Sequence, residues 1–256
     1  MTAASTARQR HVICMKWGTK YGPEYVNRLY AMVRRHLSGD FHFVCLTDDS
    51  TGIRSEVQCL PIPPLDLPPG IPERGWTKLA TFSADLHGLR GTALFLDVDV
   101  VVTGSLDDFF TQPGEFLIIH DYKRPWRITG NSSVYRFELG AHPDVLEYFR
   151  GHFDEIRRQF RNEQAYLSDF LHKQGKLQYW PASWCPSFKY HGIPFKSGNI
   201  QSWAYFAVTD FVEEFVVDGG VGSPKCFGDR AESIHGIVSH KDLEHQFIEE
   251  TAHSQW

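Results

Sequence analysis

A chain of 256 residues that is 42% apolar and 14% aromatic, with 7 Trp, is long enough for one α/β domain around a substantial core. Its formal net charge of -5 gives no reason to expect a nucleic-acid partner, because a phosphate-tracking protein needs a basic stripe. The 5 cysteines form no Cys-x-x-Cys pair, which argues against a structural zinc or a disulfide frame and favours a reducing compartment. Met1–Arg10 lacks the apolar stretch of a signal peptide, and no run approaches the ~18 apolar residues of a membrane helix. The expectation is a cytoplasmic chain with no integral membrane segment.

Residues 1–10 read as a flexible polar tail, and His11–Met15 as a first buried strand. After a loop over Lys16–Gly22, Pro23 sits where a helix starts, and Val26, Leu29, Tyr30, Val33 and Leu37 recur at helical spacing until Ser38-Gly39. Phe41–Leu46 is a second strand running into Thr47-Asp48-Asp49, and Val57–Leu60 is a short third. The Pro-rich 61–72 stretch must be a surface loop. Trp76–Leu86 predicts a helix, and Thr92-Ala93-Leu94-Phe95-Leu96 a strand with no polar interruption. Strand-helix-strand units with such strands imply a mostly parallel sheet covered on both faces, with ligands bound at the carboxyl ends of the strands. Beyond Asp99, Phe116–Ile119 and Ser133–Phe137 read as strands, and Pro143–Phe160 and Glu163–Lys173 as helices. From Gln174 onward periodicity is weak.

The chemistry concentrates at Asp97-Val98-Asp99. Two carboxylates one residue apart, directly after a buried strand, can both reach one hard cation, Mn2+ or Mg2+, and leave positions for water and phosphate oxygens. A strand this apolar should stop at a carboxylate only where water or a metal meets it. A solvated capping turn is the plain alternative. Asp97-Val98-Asp99-Val100-Val101 also satisfies the Asp-x-Asp loop of haloacid-dehalogenase-type phosphatases, but there the loop follows the first core strand.

Phe95-Leu96-Asp97-Val98-Asp99-Val100-Val101-Val102-Thr103-Gly104-Ser105-Leu106 resembles the corresponding stretch of GT-A glycosyltransferases, specifically bacterial proteins similar to glycosyltransferase family 8. Lys16-Trp17-Gly18-Thr19-Lys20-Tyr21, Gly75-Trp76-Thr77-Lys78-Leu79, Asn131-Ser132-Ser133-Val134-Tyr135 and Asn162-Glu163-Gln164 resemble that group in the same order. The resemblance implies a single GT-A domain over 1–256, with a nucleotide-binding half over 11–110 and an acceptor-side half over 111–256. It also implies transfer of a sugar, with retention, from a nucleoside diphosphate donor such as a UDP-sugar to a carbohydrate or other hydroxyl acceptor.

By the same resemblance, Asp97 and Asp99 bind the metal, and Val98 between them, Lys78 and Lys225 contact the donor. Asn131 meets the donor sugar, and Glu163-Gln164 face the reaction centre. Trp17, Thr19 and Asp48 lie where the nucleoside docks. An exposed helix lysine, a turn asparagine and a helix-start pattern are the ordinary readings of Lys78, Asn131 and Asn162-Glu163. Family 8-like enzymes add a late His, in a His-Gly-x-Pro-Lys segment. Here that signature is split between Asp218–Lys225 and His235-Gly236, so His235 or Asp218 is the third metal ligand, or the site is degenerate and the chain a non-catalytic binder. Trp126, Trp180, Trp184 and Trp203 line an acceptor groove or pack in the core.

Overall fold

A computed structural model describes residues 8–68 and 73–187, together with the backbone of 237–239. Strand β1 (Arg10–Lys16) leads into helix α1 (Pro23–His36), strand β2 (His42–Thr47) and the short β3 (Gln58–Leu60). Val26, Leu29 and Val33 form the buried stripe of α1, with Pro23 and Glu24 in its first turn and Arg34, Arg35 and His36 in its last, as the helix dipole favours. The Trp76–Leu86 prediction is corrected to a 3₁₀ helix at Arg74–Phe82, which Ser83 closes by donating its N–H to Ala80 O at 3.2 Å. His87 and Gly88 then take positive φ of 52° and 73°, a turn no helix could continue through.

Strand β4 (Thr92–Leu96) follows, then β5 (Val100–Val102), helix α2 (Asp107–Thr111), β6 (Phe116–His120) and β7 (Gly130–Glu138). The single helix expected over Pro143–Phe160 is two, α3 (Pro143–Gly151) and α4 (Phe153–Gln159), separated at His152. Helix α5 (Glu163–Lys173) keeps the expected bounds, and the last short strands are β8 (Leu177–Tyr179) and β9 (Ile237–Ser239).

Seven strands form one sheet in the order β3-β2-β1-β4-β7-β6-β8. All run parallel except β7, which is antiparallel to both β4 and β6. Side chains alternate between two cores. One joins Ile13, Val44, Phe95, Ile118 and Tyr135 to the 3₁₀ helix, α3 and α5. The other joins Val12, Cys45, Leu94 and Val134 to Val26, Leu29 and Val33 of α1 and Phe109 of α2. Helices therefore cover both faces. Ala93, Leu94, Phe95 and Leu96 are all 0% exposed, so deleting the Phe95 ring would cost about 3–5 kcal/mol.

The reversed β7 matters most for the site. It lies beside β4 with Val134 opposite Leu96, which carries Asn131, Ser132 and Ser133 past the end of β4. Gly130 is required at the start of β7, because a Cβ there would stand 2.7 Å from Ile118 Cδ1. Its N–H donates to Ser168 Oγ at 2.7 Å, tying the strand to α5.

Candidate active site

The chain leaves the sheet at Asp97. Its N–H donates to Ser133 O at 2.9 Å, and Asp97 O accepts from Val100 N at 3.3 Å, closing a turn into β5. Val98 is buried inside that turn and packs in the α1-side core, so the turn is anchored rather than solvated. Asp99 is only 2% exposed, and Tyr21 O–H donates to its Oδ2 at 2.7 Å. The Tyr21 ring meets Tyr25 edge-on at 4.8 Å, which braces that phenol against the start of α1.

Lys78 is not an exposed helix lysine. The flanking Thr77, Leu79 and Ala80 are buried, and its own side chain keeps 13% exposure. Its Nζ lies 2.7 Å from Asp97 Oδ1 and 2.9 Å from Oδ2, and donates to Ser132 O at 3.2 Å. Ser132 Oγ donates in turn to Glu163 Oε1 at 2.7 Å. Burial works against the charged ammonium, but Asp97, Glu163 and Asp99 outweigh it and raise the Lys78 pKa above its ordinary value. The lysine stays protonated across the physiological range.

Glu163 fills two roles at once. Asn162 caps α5 by accepting from Ala165 N at 3.2 Å, with Glu163 in the favourable first turn, as the helix-start reading expects. Yet its carboxyl is turned inward, 7% exposed, onto Ser132. Gln164 Oε1 accepts from Ser132 N at 3.3 Å, and Asn131 Oδ1 accepts from Ser133 N at 2.9 Å. Asp97, Lys78, Glu163 and Gln164 thus converge on Ser132, with Asn131 beside it. Ser132 and Tyr21 were not singled out as site residues. Both lie inside quoted motifs, but only the long-range pairing reveals what they touch.

Trp17, Thr19 and Asp48 stand at the carboxyl ends of β1 and β2, one strand or two away from Asp97 in the sheet order. Asp48 Oδ2 accepts from Gly18 N at 2.9 Å and holds the two loops together, with Gly18 at a φ of 64°. Thr19 is exposed, while Trp17 is half-buried and packs on the core. Trp180 is a core residue, 4% exposed, stacked on Trp184 at 6.0 Å and tilted against Phe109 at 4.8 Å. Trp126 alone of these three is a surface ring, 77% exposed. Lys225, His235, Asp218 and Trp203 lie outside the described residues.

The donor chemistry at the tip of β4 fits a hard divalent cation. Among the described residues, three carboxyls (Asp97, Asp99 and Glu163) lie near the Lys78 ammonium in a largely water-excluded place, a set of hard oxygen donors that suits such a cation. Among the described residues no group of three or more His, Cys, Asp or Glu is arranged to hold a metal, so Asp97 and Asp99 would supply only part of a coordination shell if a cation bound there. The rest must come from ligand oxygens, water or residues beyond those described.

With β7 reversed in an otherwise parallel sheet and acids closing β4, the chain has the GT-A glycosyltransferase fold. Among solved structures it is similar to the apo form of the glycosyltransferase GlyE of Streptococcus pneumoniae TIGR4, at 15% identity and a TM-score of 0.52. That alignment covers 91% of this chain and 54% of GlyE, so the chain spans about half of that protein's length. The galactosyltransferase LgtC, in complex with donor and acceptor sugar analogs, aligns at 15% identity with a TM-score of 0.49, over 69% of this chain and 75% of that one. No protein-family model and no curated protein sequence matches. The acids follow the fourth strand of the chain rather than the first, unlike the loop of haloacid-dehalogenase-type phosphatases.

Proposed function

We propose that this chain is a metal-dependent glycosyltransferase that moves a sugar from a nucleoside diphosphate donor, a UDP-sugar by resemblance, to an acceptor hydroxyl with retention. The observation that supports this reading is the pair of shielded acids at the end of β4, Asp97 held by Lys78 and Asp99 held by Tyr21. We assign the donor to residues 11–110 and the acceptor side to the remainder. Trp17, Thr19 and Asp48, on the loops after β1 and β2, are the residues we expect to receive the nucleoside. His235 and Lys225 keep their proposed roles as metal ligand and diphosphate contact.

In the reaction the bond from the anomeric carbon to the diphosphate oxygen breaks, and a bond to the acceptor oxygen forms as the hydroxyl proton departs. Asp97 and Asp99 would hold the cation, which supplies charge neutralisation for the diphosphate leaving group. Lys78, kept charged by its acids, presents an ammonium beside the same place, and fixed charge of this kind is generally the largest catalytic contribution. Tyr21 orients Asp99, and Ser132 orients Glu163, so neither carboxylate needs to reorganise when substrate arrives. Asn131 and Gln164 offer their side-chain amides toward the sugar.

Thermal-shift measurements with nucleoside diphosphates and their sugars, with and without Mn2+, test this reading. At a ligand concentration near 100 Kd the fold should gain about 2.7 kcal/mol, a rise of roughly 5 °C or more in Tm. The gain should require Mn2+ and vanish in Asp97→Ala and Asp99→Ala. Absence of any shift across the whole panel would overturn the proposal.

A further inference from the structure

Next to the convergence on Ser132 lies an open pocket of about 830 Å³, which Asn131 and Gln164 line from one side. Asp97, Asp99 and Lys78 are not part of its described lining. Its other wall carries Lys123, Arg124, Arg127 and Arg161, with the exposed Trp126 ring among them. In a chain of net charge -5, four cationic side chains line this one pocket, against two acids. Among the described residues, no ion pair involves Arg124, Arg127 or Arg161. Arginine ion pairs among the described residues involve Arg8, Arg10, Arg54, Arg90 and Arg150 instead. Of the two acids in the lining, Asp169 pairs with Lys173 at 2.7 Å, and Asp121 Oδ1 accepts from the backbone N–H of Lys123 at 3.0 Å, so the cations outnumber the acids left to face them.

We infer that this pocket takes an anionic carbohydrate, a sugar bearing a phosphate or a carboxylate, as the acceptor of the transfer; that last role rests on the function proposed above. Guanidinium groups suit both anions because their paired N–H donors match two oxygens at once. Trp126 supplies an exposed apolar ring face on which a sugar ring can lie. The volume falls within the range of ordinary small-molecule sites, with room for more than one sugar unit. An acceptor held here would have its hydroxyls beside Asn131 and Gln164, which adjoin Ser132 and, through it, Lys78 and Glu163.

Titration calorimetry of the nucleotide-free protein with glucose, glucose 6-phosphate, glucuronate and inorganic phosphate tests the inference. At least one charged sugar should bind about tenfold more tightly than glucose, and the two charged arms show whether phosphate or carboxylate is preferred. The double variant Arg124→Glu/Arg127→Glu should erase that preference while keeping the parent Tm, since both side chains are exposed. Its binding of UDP with Mn2+ should stay within about twofold of the parent. Equal binding of glucose and both charged sugars would overturn the inference, as would inorganic phosphate binding as tightly as glucose 6-phosphate. So would an equal loss of UDP binding in the double variant, which would assign these cations to the donor. The sugar titrations contain no nucleotide, so they can succeed or fail independently of the proposed transferase activity.

Discussion

At the tip of β4, Asp97, Asp99 and Glu163 are largely shielded from water and held by Lys78, Tyr21 and Ser132, whereas Arg124, Arg127 and Arg161 stand exposed around the neighbouring pocket. Asn131 and Gln164 line the basic pocket, and Gln164 also bonds Ser132 beside the acids, so the two regions adjoin while carrying opposite charge in opposite surroundings. Buried charge is expensive, so the acidic tip needs partners from the fold and from a ligand, and its geometry is fixed in advance. Exposed charge costs little to maintain and little to lose. On the proposed function, the contrast would separate a pre-organised site for the diphosphate from an adaptable surface for the acceptor.

Four experiments sharpen or break that contrast, beginning with the largest effect. Lys78→Met leaves buried acids without their ammonium, and the loss should be about 3–5 kcal/mol, read as a lower urea midpoint. Added Mn2+ should restore part of it. An unchanged midpoint would mean that the pair is not the anchor described here. Asp99→Asn keeps the shape of the turn but removes a charge, and should weaken Mn2+-dependent UDP binding by about a hundredfold.

Trp126→Ala, by contrast, removes an exposed ring and should change stability by less than about 0.5 kcal/mol while weakening sugar binding in the pocket. The smallest effect expected is on pH dependence. Burial pushes His142 and His11 below the ordinary imidazole value. Their unfolded forms take up protons first, so the stability they contribute is complete above about pH 6.5 and falls as the pH drops below it. Urea midpoints between pH 7 and pH 5 should fall, and His142→Phe should reduce the slope.

Much of the fold was legible because the strands of the buried centre are uninterrupted apolar runs. Ile13, Val44 and Phe95 mark β1, β2 and β4 unaided, and α1 shows its stripe in Val26, Leu29 and Val33. Local conflicts were harder to read. The break at His152 divides an amphipathic stretch whose spacing looks continuous, and Arg74–Phe82 winds as a 3₁₀ helix with Trp76 stacked on Phe149 at 5.0 Å, a long-range contact no local pattern shows. Strand β8 has only three residues at a sheet edge, too few to show a period.

For the candidate site, the sequence indicated that acids close β4, because an apolar run ending at Leu96 passes directly into Asp97-Val98-Asp99. It could not indicate that Lys78, 19 positions earlier, folds back onto Asp97, or that Ser132 links that pair to Glu163. Those contacts depend on β7 running antiparallel between β4 and β6, a property of the whole sheet. The basic pocket was hidden for the same reason: Lys123 to Arg127 and Arg161 belong to separate segments that only the β7–α5 contact brings together.

The most direct test is a crystal grown with UDP and Mn2+ and examined for anomalous scattering from the metal. The account expects one Mn2+ bonded to carboxylate oxygens of Asp97 and Asp99 and to phosphate oxygens of UDP. No peak at the end of β4, with Lys78 still clasping Asp97 and UDP bound elsewhere or not at all, would contradict it.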